Sequence, residues 1–142
     1  MNSVRLLAWV YCLLFLFVVA LGHLPGLTDD QGQLFGLFQI DLVDDILHLG
    51  SGIWAGIAAW RSTRASVFYF RAFGALYSLD AVFGLLFGQG ILDGGIFLYG
   101  VTPVDISTRV FANLPHVVIG GLALLIGFVL SRRSPERQYA SP

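Results

Sequence analysis

The sequence contains no lysine, and only 12% of its 142 residues are charged, against roughly 25% in a typical soluble domain. With 56% hydrophobic residues, the chain has too few polar groups to cover a water-soluble surface, so lipid is its expected solvent. All eight basic residues are arginine, and no run of them resembles a nucleic-acid-binding patch. The single cysteine, Cys12, excludes an intramolecular disulfide and is interpreted as a packing residue in an apolar run.

Four long apolar runs are present, and they cover residues 6–24, 42–60, 67–87 and 110–130. At about 1.5 Å per residue, each run can cross a hydrocarbon core of about 30 Å as a helix. The second run is the least apolar because Asp44, Asp45 and His48 lie in its first turns. We therefore predict an all-α, four-helix transmembrane bundle, with a membrane domain over residues 1–131 and a polar cytoplasmic tail over residues 132–142.

The arginines predict how the chain is oriented in the membrane. Seven of the eight precede the first run, lie between or beside the second and third runs, or follow the fourth. The positive-inside rule places that side in the cytoplasm, so we expect a bacterial inner-membrane protein with both termini in the cytoplasm. A cleaved signal peptide is the alternative for the first run, but the run is longer than the usual apolar region of about 7–15 residues.

The two halves of the chain align without a gap when one is shifted by 68 residues. The shift places His48 on His116 and Gly52 on Gly120. Both halves would begin on the same side of the membrane, so the alignment predicts two parallel two-helix repeats related by an axis along the membrane normal. Small residues in these helices predict close helix packing, either within the chain or between two copies of it.

His48 and His116 are the candidate cofactor-binding residues. At matching depths on two helices, two imidazoles could hold haem b or a metal ion, and a glycine one turn later would leave room for a macrocycle. The structural alternative interprets Asp45 and Asn113 as helix N-caps, with each histidine and Pro115 in the first turn that follows. That alternative needs no cofactor, and we expect none.

Asp80 lies inside the third apolar run, where a carboxyl group is costly and should face the interior of the bundle. It is a candidate proton relay or a partner for His48 or His116, and the structural alternative is an interhelical hydrogen bond to a backbone or hydroxyl group, such as that of Ser78 or Tyr77. Asp44, at the polar start of the second run, completes the candidate residues. Arg109 is expected to form a local ion pair with Asp105, four residues before it.

Three segments carry a family resemblance: Leu-Gly-His-Leu-Pro-Gly-Leu at residues 21–27, Leu-Phe-Gly-Leu-Phe-Gln-Ile-Asp at 34–41 and Ile-Leu-His-Leu-Gly-Ser-Gly at 46–52. With a second His-x-x-x-Gly motif at His116, they resemble a family of small bacterial and archaeal four-helix membrane proteins known as a domain of unknown function. The chain departs from that family at Asp41, where the family has Asn, and at the residues just before His116. The resemblance implies the topology and implies no activity.

These observations predict a structural or accessory membrane protein that acts through helix–helix contacts. The lipid bilayer is its expected partner, together with a second copy or another membrane protein. No serine elbow, phosphate loop, zinc motif or catalytic carboxylate pair is recognisable, which favours a non-enzymatic role. The alternatives are a bis-histidine haem or metal redox protein and a proton or small-solute transporter that uses Asp80.

Overall fold

The computed structural model describes residues 2–29, 33–35, 38–39 and 42–133, so Asp41, Arg137 and most of the predicted tail lie outside the described residues. The described part is mainly helical and includes a short antiparallel hairpin of β1 (Gln33–Leu34) and β2 (Phe38–Gln39). Its helices are α1 (Ser3–Gly22), α2 (Leu42–Arg61), α3 (Thr63–Phe87), α4 (Gly95–Tyr99) and α5 (Ile106–Leu125). A π-helical turn (Ile126–Leu130) and a short last helix, α6 (Ser131–Arg133), extend α5.

Three helices in the described residues are long and apolar enough to cross a membrane: α1 with 20 residues, α3 with 25, and the 25 residues of Ile106–Leu130. Helices of these lengths span roughly 30 to 38 Å. The chain therefore has the helices of a membrane protein. The helix α2 also has 20 residues, but its polar first turns keep it out of this group.

Side-chain caps fix where the helices begin. Asn2 accepts the backbone N–H of Arg5 at the start of α1, and Ser62 accepts that of Ala65 at the start of α3. Each cap satisfies one of the N–H groups that the first helical turn leaves without a partner. Ser62 is also the only residue between α2 and α3, so these two helices form a tight hairpin.

The start of α5 differs from the prediction. Asp105 is its N-cap and accepts the backbone N–H of Thr108, so Asn113 and Pro115 lie well inside the helix instead of at its first turn. Asp45 is likewise the fourth residue of α2 and does not precede that helix. The capping interpretation of Asp45 and Asn113 is therefore wrong, because polar residues farther upstream begin α5 and because α2 already begins at Leu42.

Arginine side chains bind free carbonyl groups where two helices end. Arg5 donates to the carbonyls of Ala59 and Trp60 at the end of α2, over 2.7 and 3.0 Å. Arg109 donates to the carbonyls at the end of α3 and does not form the predicted ion pair with Asp105. The last carbonyls of a helix lack intrahelical partners, so they can accept the N–H groups of a guanidinium.

An aromatic cluster forms the centre of the packed helices. Its rings lie 4.1–6.3 Å apart, mostly edge to face, and two of its three tyrosine hydroxyls also join helices. Tyr11 of α1 donates to the Ile119 carbonyl of α5 over 2.8 Å, which joins these two helices. The cluster consists of Tyr11, Phe15, Tyr69, Phe70, Phe73 and Tyr77.

Candidate functional site

Among the described residues, Asp80 is the one buried carboxylate, with only 2% of its surface exposed. It lies two turns before the end of α3, about 10 Å from Phe87 along the helix axis. Its Oδ1 atom accepts the backbone N–H groups of Ile91 and Leu92, over 2.7 and 2.8 Å. Two backbone donors on one oxygen compensate much of the cost of burying the carboxylate.

The connection between α3 and α5 turns back onto Asp80 because of its glycines. Gly88 ends α3 with a φ of +76°, a left-handed conformation that glycine adopts without strain. A Cβ atom at Gly90 would lie 2.9 Å from Oδ1 of Asp80, so a side chain there would push the connection away from the carboxylate. The approach of the Ile91 and Leu92 N–H groups therefore depends on this glycine.

His116 approaches Asp80 from α5. Its Nδ1 atom lies 2.7 Å from Oδ2 of Asp80, and its ring contacts that of Tyr77 edge to face at 5.4 Å. The Nδ1 atom is buried but not aligned for a linear hydrogen bond, so the contact is mainly electrostatic and becomes an ion pair when the ring is protonated. Asp80 thus contacts α5 through one oxygen and the α3–α5 connection through the other.

His48 is engaged differently. Its Nδ1 atom lies 2.8 Å from the backbone carbonyl of Asp44, four residues earlier in α2, so Nδ1 carries the hydrogen of the neutral ring. Its ring packs beside Phe15 of α1, with centroids 5.7 Å apart. Of the two predicted partners of Asp80, the structure therefore brings His116 into contact with it.

The two histidines and Asp80 still line one cavity, together with Asp44, Leu47, Tyr77, Leu92 and Asp93. Water-sized molecules can occupy about 20 Å³ of it, which is room for about one water. A haem does not fit into a space of this size, and binding one would require the helices to separate. Haem binding at His48 and His116 stays a prediction, which an absorption spectrum of the purified protein without a Soret band would exclude.

A metal ion needs more donor groups than two imidazoles. Across residues 2–29, 33–35, 38–39 and 42–133, no group of three or more His, Cys, Asp or Glu side chains is arranged to hold one. Zinc in proteins usually takes four ligands, at least three of them from the protein.

The other predicted residues lie around this site. Asp45 forms a 2.9 Å pair with His23 at the end of α1, so it links the first two helices near the surface. Asn113 donates to the Arg109 carbonyl, one turn earlier in α5, and packs against Gly84 of α3. Neither side chain lines the cavity.

Two features of the site were not predicted from the sequence. Tyr77 shares a 2.9 Å hydrogen bond with Ser51 of α2, instead of bonding to Asp80. The N–H donors of Ile91 and Leu92 are backbone groups and leave no signature of their own in the sequence. The glycines at 88 and 90 were the available signal, because they mark a tight turn directly after the helix that carries Asp80.

Residues 5–129 match the model of the family described as Domain of unknown function (DUF4383). The match covers most of the chain and confirms the resemblance carried by the Gly–Pro-Gly turn and the two His-x-x-x-Gly motifs. Neither a curated protein nor a solved structure matches the chain.

Proposed function

This chain belongs to the family described as Domain of unknown function (DUF4383). We propose that it is an accessory membrane protein that acts through helix–helix contacts rather than substrate turnover. In this proposal α2 is the fourth span, and both termini lie on the arginine-rich, cytoplasmic side of a bacterial inner membrane. Large apolar side chains are exposed along α1, α2, α3 and α5, which supports a lipid-facing surface on each. The contacts are made with a second copy or with another membrane protein.

The observation that carries this proposal is the complete engagement of Asp80. One oxygen binds two backbone N–H groups of the α3–α5 connection, and the other contacts His116. The remaining space holds about one water molecule, which leaves no room for an organic substrate. The Asp80 carboxylate, which is costly to bury in the membrane domain, thus holds α3, α5 and their connection in one arrangement.

A stability measurement distinguishes a structural Asp80 from a functional one. Asp80→Ala removes the acceptor of two N–H groups and the partner of His116, so we expect it to lower the free energy of unfolding by about 3–5 kcal/mol. Unfolding of the detergent-purified full chain by added denaturing detergent measures this. Asp45→Ala is the matched control, because it breaks a more exposed carboxylate–histidine pair and should cost less than about 1 kcal/mol.

Equal or greater stability of the Asp80→Ala protein would contradict the proposal. Groups retained for activity are often held at the expense of stability, so their removal can stabilise a protein. That outcome would favour the second candidate function, proton movement through the site.

Proton handling is the second candidate because Asp80, His116 and His48 surround a water-sized cavity. A carboxylate, an imidazole and one water can exchange a proton over hydrogen-bond distances. Proteoliposomes containing the full chain would then show proton flux under an imposed potential, and Asp80→Asn would abolish it. Flux that is equal with and without the protein, or unchanged by Asp80→Asn, would exclude this function.

A further inference from the structure

A groove lies at the arginine-rich end of the molecule, where α2 passes into α3. It has a volume of about 490 Å³ and is open along one side. Its walls combine aromatic and aliphatic side chains with two guanidinium groups at the hairpin. The groove is lined by Trp54, Ile57, Ala58, Arg61, Ser62, Arg64, Ala65 and Phe68.

The two arginines of this groove differ from three other arginines of the described helices. Arg5, Arg71 and Arg109 each donate to backbone carbonyl groups of another helix. Arg61 and Arg64 are exposed, and within the described part of the chain neither makes a side-chain hydrogen bond or an ion pair. Two unneutralised cations beside a membrane-facing groove favour an anionic partner.

The walls below the arginines are apolar. Phe68 is 63% exposed and Ile57 is 49% exposed, although both lie on helices that pack into the aromatic cluster. Trp54 is held in place by an edge-to-face contact with Tyr69 at 5.0 Å. An elongated apolar group could lie along these side chains while its charged end remains at the guanidinium groups.

We propose that this groove binds an anionic phospholipid from the leaflet at the arginine-rich end of the helices. The headgroup phosphate binds Arg61 and Arg64, and an acyl chain lies against Trp54, Ile57 and Phe68. Guanidinium groups match phosphate oxygens in charge and in hydrogen-bond geometry. Basic pockets between helices at a membrane surface bind lipid headgroups by this chemistry. A soluble anion would use the arginines and leave the apolar walls unused.

Native mass spectrometry of the detergent-purified full chain tests the proposal with phosphatidylglycerol and phosphatidylcholine of identical acyl chains. We expect the wild type to retain phosphatidylglycerol preferentially. The double variant Arg61→Gln, Arg64→Gln should lose roughly tenfold or more of that affinity, because two charge-assisted hydrogen-bonding groups are removed. Arg132→Gln is the matched control, since it removes an exposed arginine of α6 outside the groove.

A second pair of variants tests the apolar wall. Phe68→Ala should weaken binding of phosphatidylglycerol several-fold, whereas Phe111→Ala, at an equally exposed phenylalanine of α5, should leave it unchanged. The Arg61→Lys, Arg64→Lys protein keeps both charges and should retain part of the affinity, which separates loss of binding from loss of folding.

Three results would overturn the proposal. The first is an unchanged lipid preference in the double glutamine variant. The second is an equal loss in Arg132→Gln, which would indicate attraction to the surface charge as a whole. The third is displacement of the lipid by inorganic phosphate at comparable concentration, which would assign the groove to a soluble anion.

Discussion

The two helix pairs, α1 with α2 and α3 with α5, each carry one histidine at positions 68 residues apart, yet the two rings have different partners. His48 bonds to a carbonyl of its own helix, whereas His116 contacts Asp80 on the neighbouring helix. The residue 68 positions before Asp80 is Cys12, a buried thiol packed against α2. Asp80 thus gives the second pair a buried carboxylate–imidazole contact, whereas the position 68 residues earlier holds a thiol.

The same pairs differ in how closely their helices approach. A Cβ atom added at Gly52 would lie 3.1 Å from the Phe15 Cβ of α1, a contact that small shifts can relieve. At Gly120, the equivalent position in α5, it would lie 2.8 Å from the backbone nitrogen of Ser78. The α3–α5 contact therefore has less room to adjust, so the pair with the buried Asp80–His116 contact also has the tighter backbone contact.

Between the two pairs, the largest expected difference in stability comes from exchanging the two histidines for glutamine in turn. His116→Gln removes the imidazole that contacts the buried Asp80 carboxylate and should cost roughly 1.5–3 kcal/mol, the range for polar contacts to a charged group. His48→Gln removes a neutral bond within one helix and should cost about 0.5–1.5 kcal/mol. Unfolding of both variants in the same detergent measures the difference. Equal losses would mean that Asp80 gives the second pair no added stability.

The glycines give the next effect in size. Gly120→Ala forces a close backbone contact to widen, which should destabilise the protein by about 1–3 kcal/mol. The better helix propensity of alanine offsets part of this loss. Gly52→Ala should change the stability by close to zero, because its milder steric contact and the better helix propensity of alanine nearly cancel. Gly121→Ala is the control, because a Cβ there meets nothing within 4 Å. Equal effects at Gly52 and Gly120 would contradict the difference in helix approach.

The sequence was sufficient to predict the long apolar helices and the inward position of Asp80, because both follow from the cost of placing polar groups in lipid. It could not decide between His48 and His116 as the partner of Asp80, since that depends on which helices pack together. The cap of α5 was predicted at Asn113 because Pro115 resembles a first-turn residue. Asp105 caps the helix instead, with hydroxyl groups directly after it, and adds two helical turns upstream of Asn113.

The smallest effect concerns the helix caps, which also differ between the two pairs. The first pair begins with α1, whose cap Asn2 is neutral. In the second pair, α5 is capped by Asp105. Hydrogen bonds from Ser107 and Thr108 hold the pKa of the Asp105 carboxyl well below its usual range. A carboxyl whose pKa is lower in the folded state stabilises that state above its unfolded pKa of about 3.9, and the stabilisation is lost as the pH falls through the folded value.

We therefore expect the thermal unfolding midpoint of the wild type to fall between about pH 4 and pH 2 by slightly more than that of Asp105→Asn, whose cap does not titrate. The difference should be small because Asp105 is exposed and screened by salt. Asn2→Asp supplies the reciprocal test, since it gives α1 a titrating cap and should steepen the same acid dependence. Identical acid profiles for all three proteins would show that the charge of the Asp105 cap makes no measurable contribution to the difference between the two pairs.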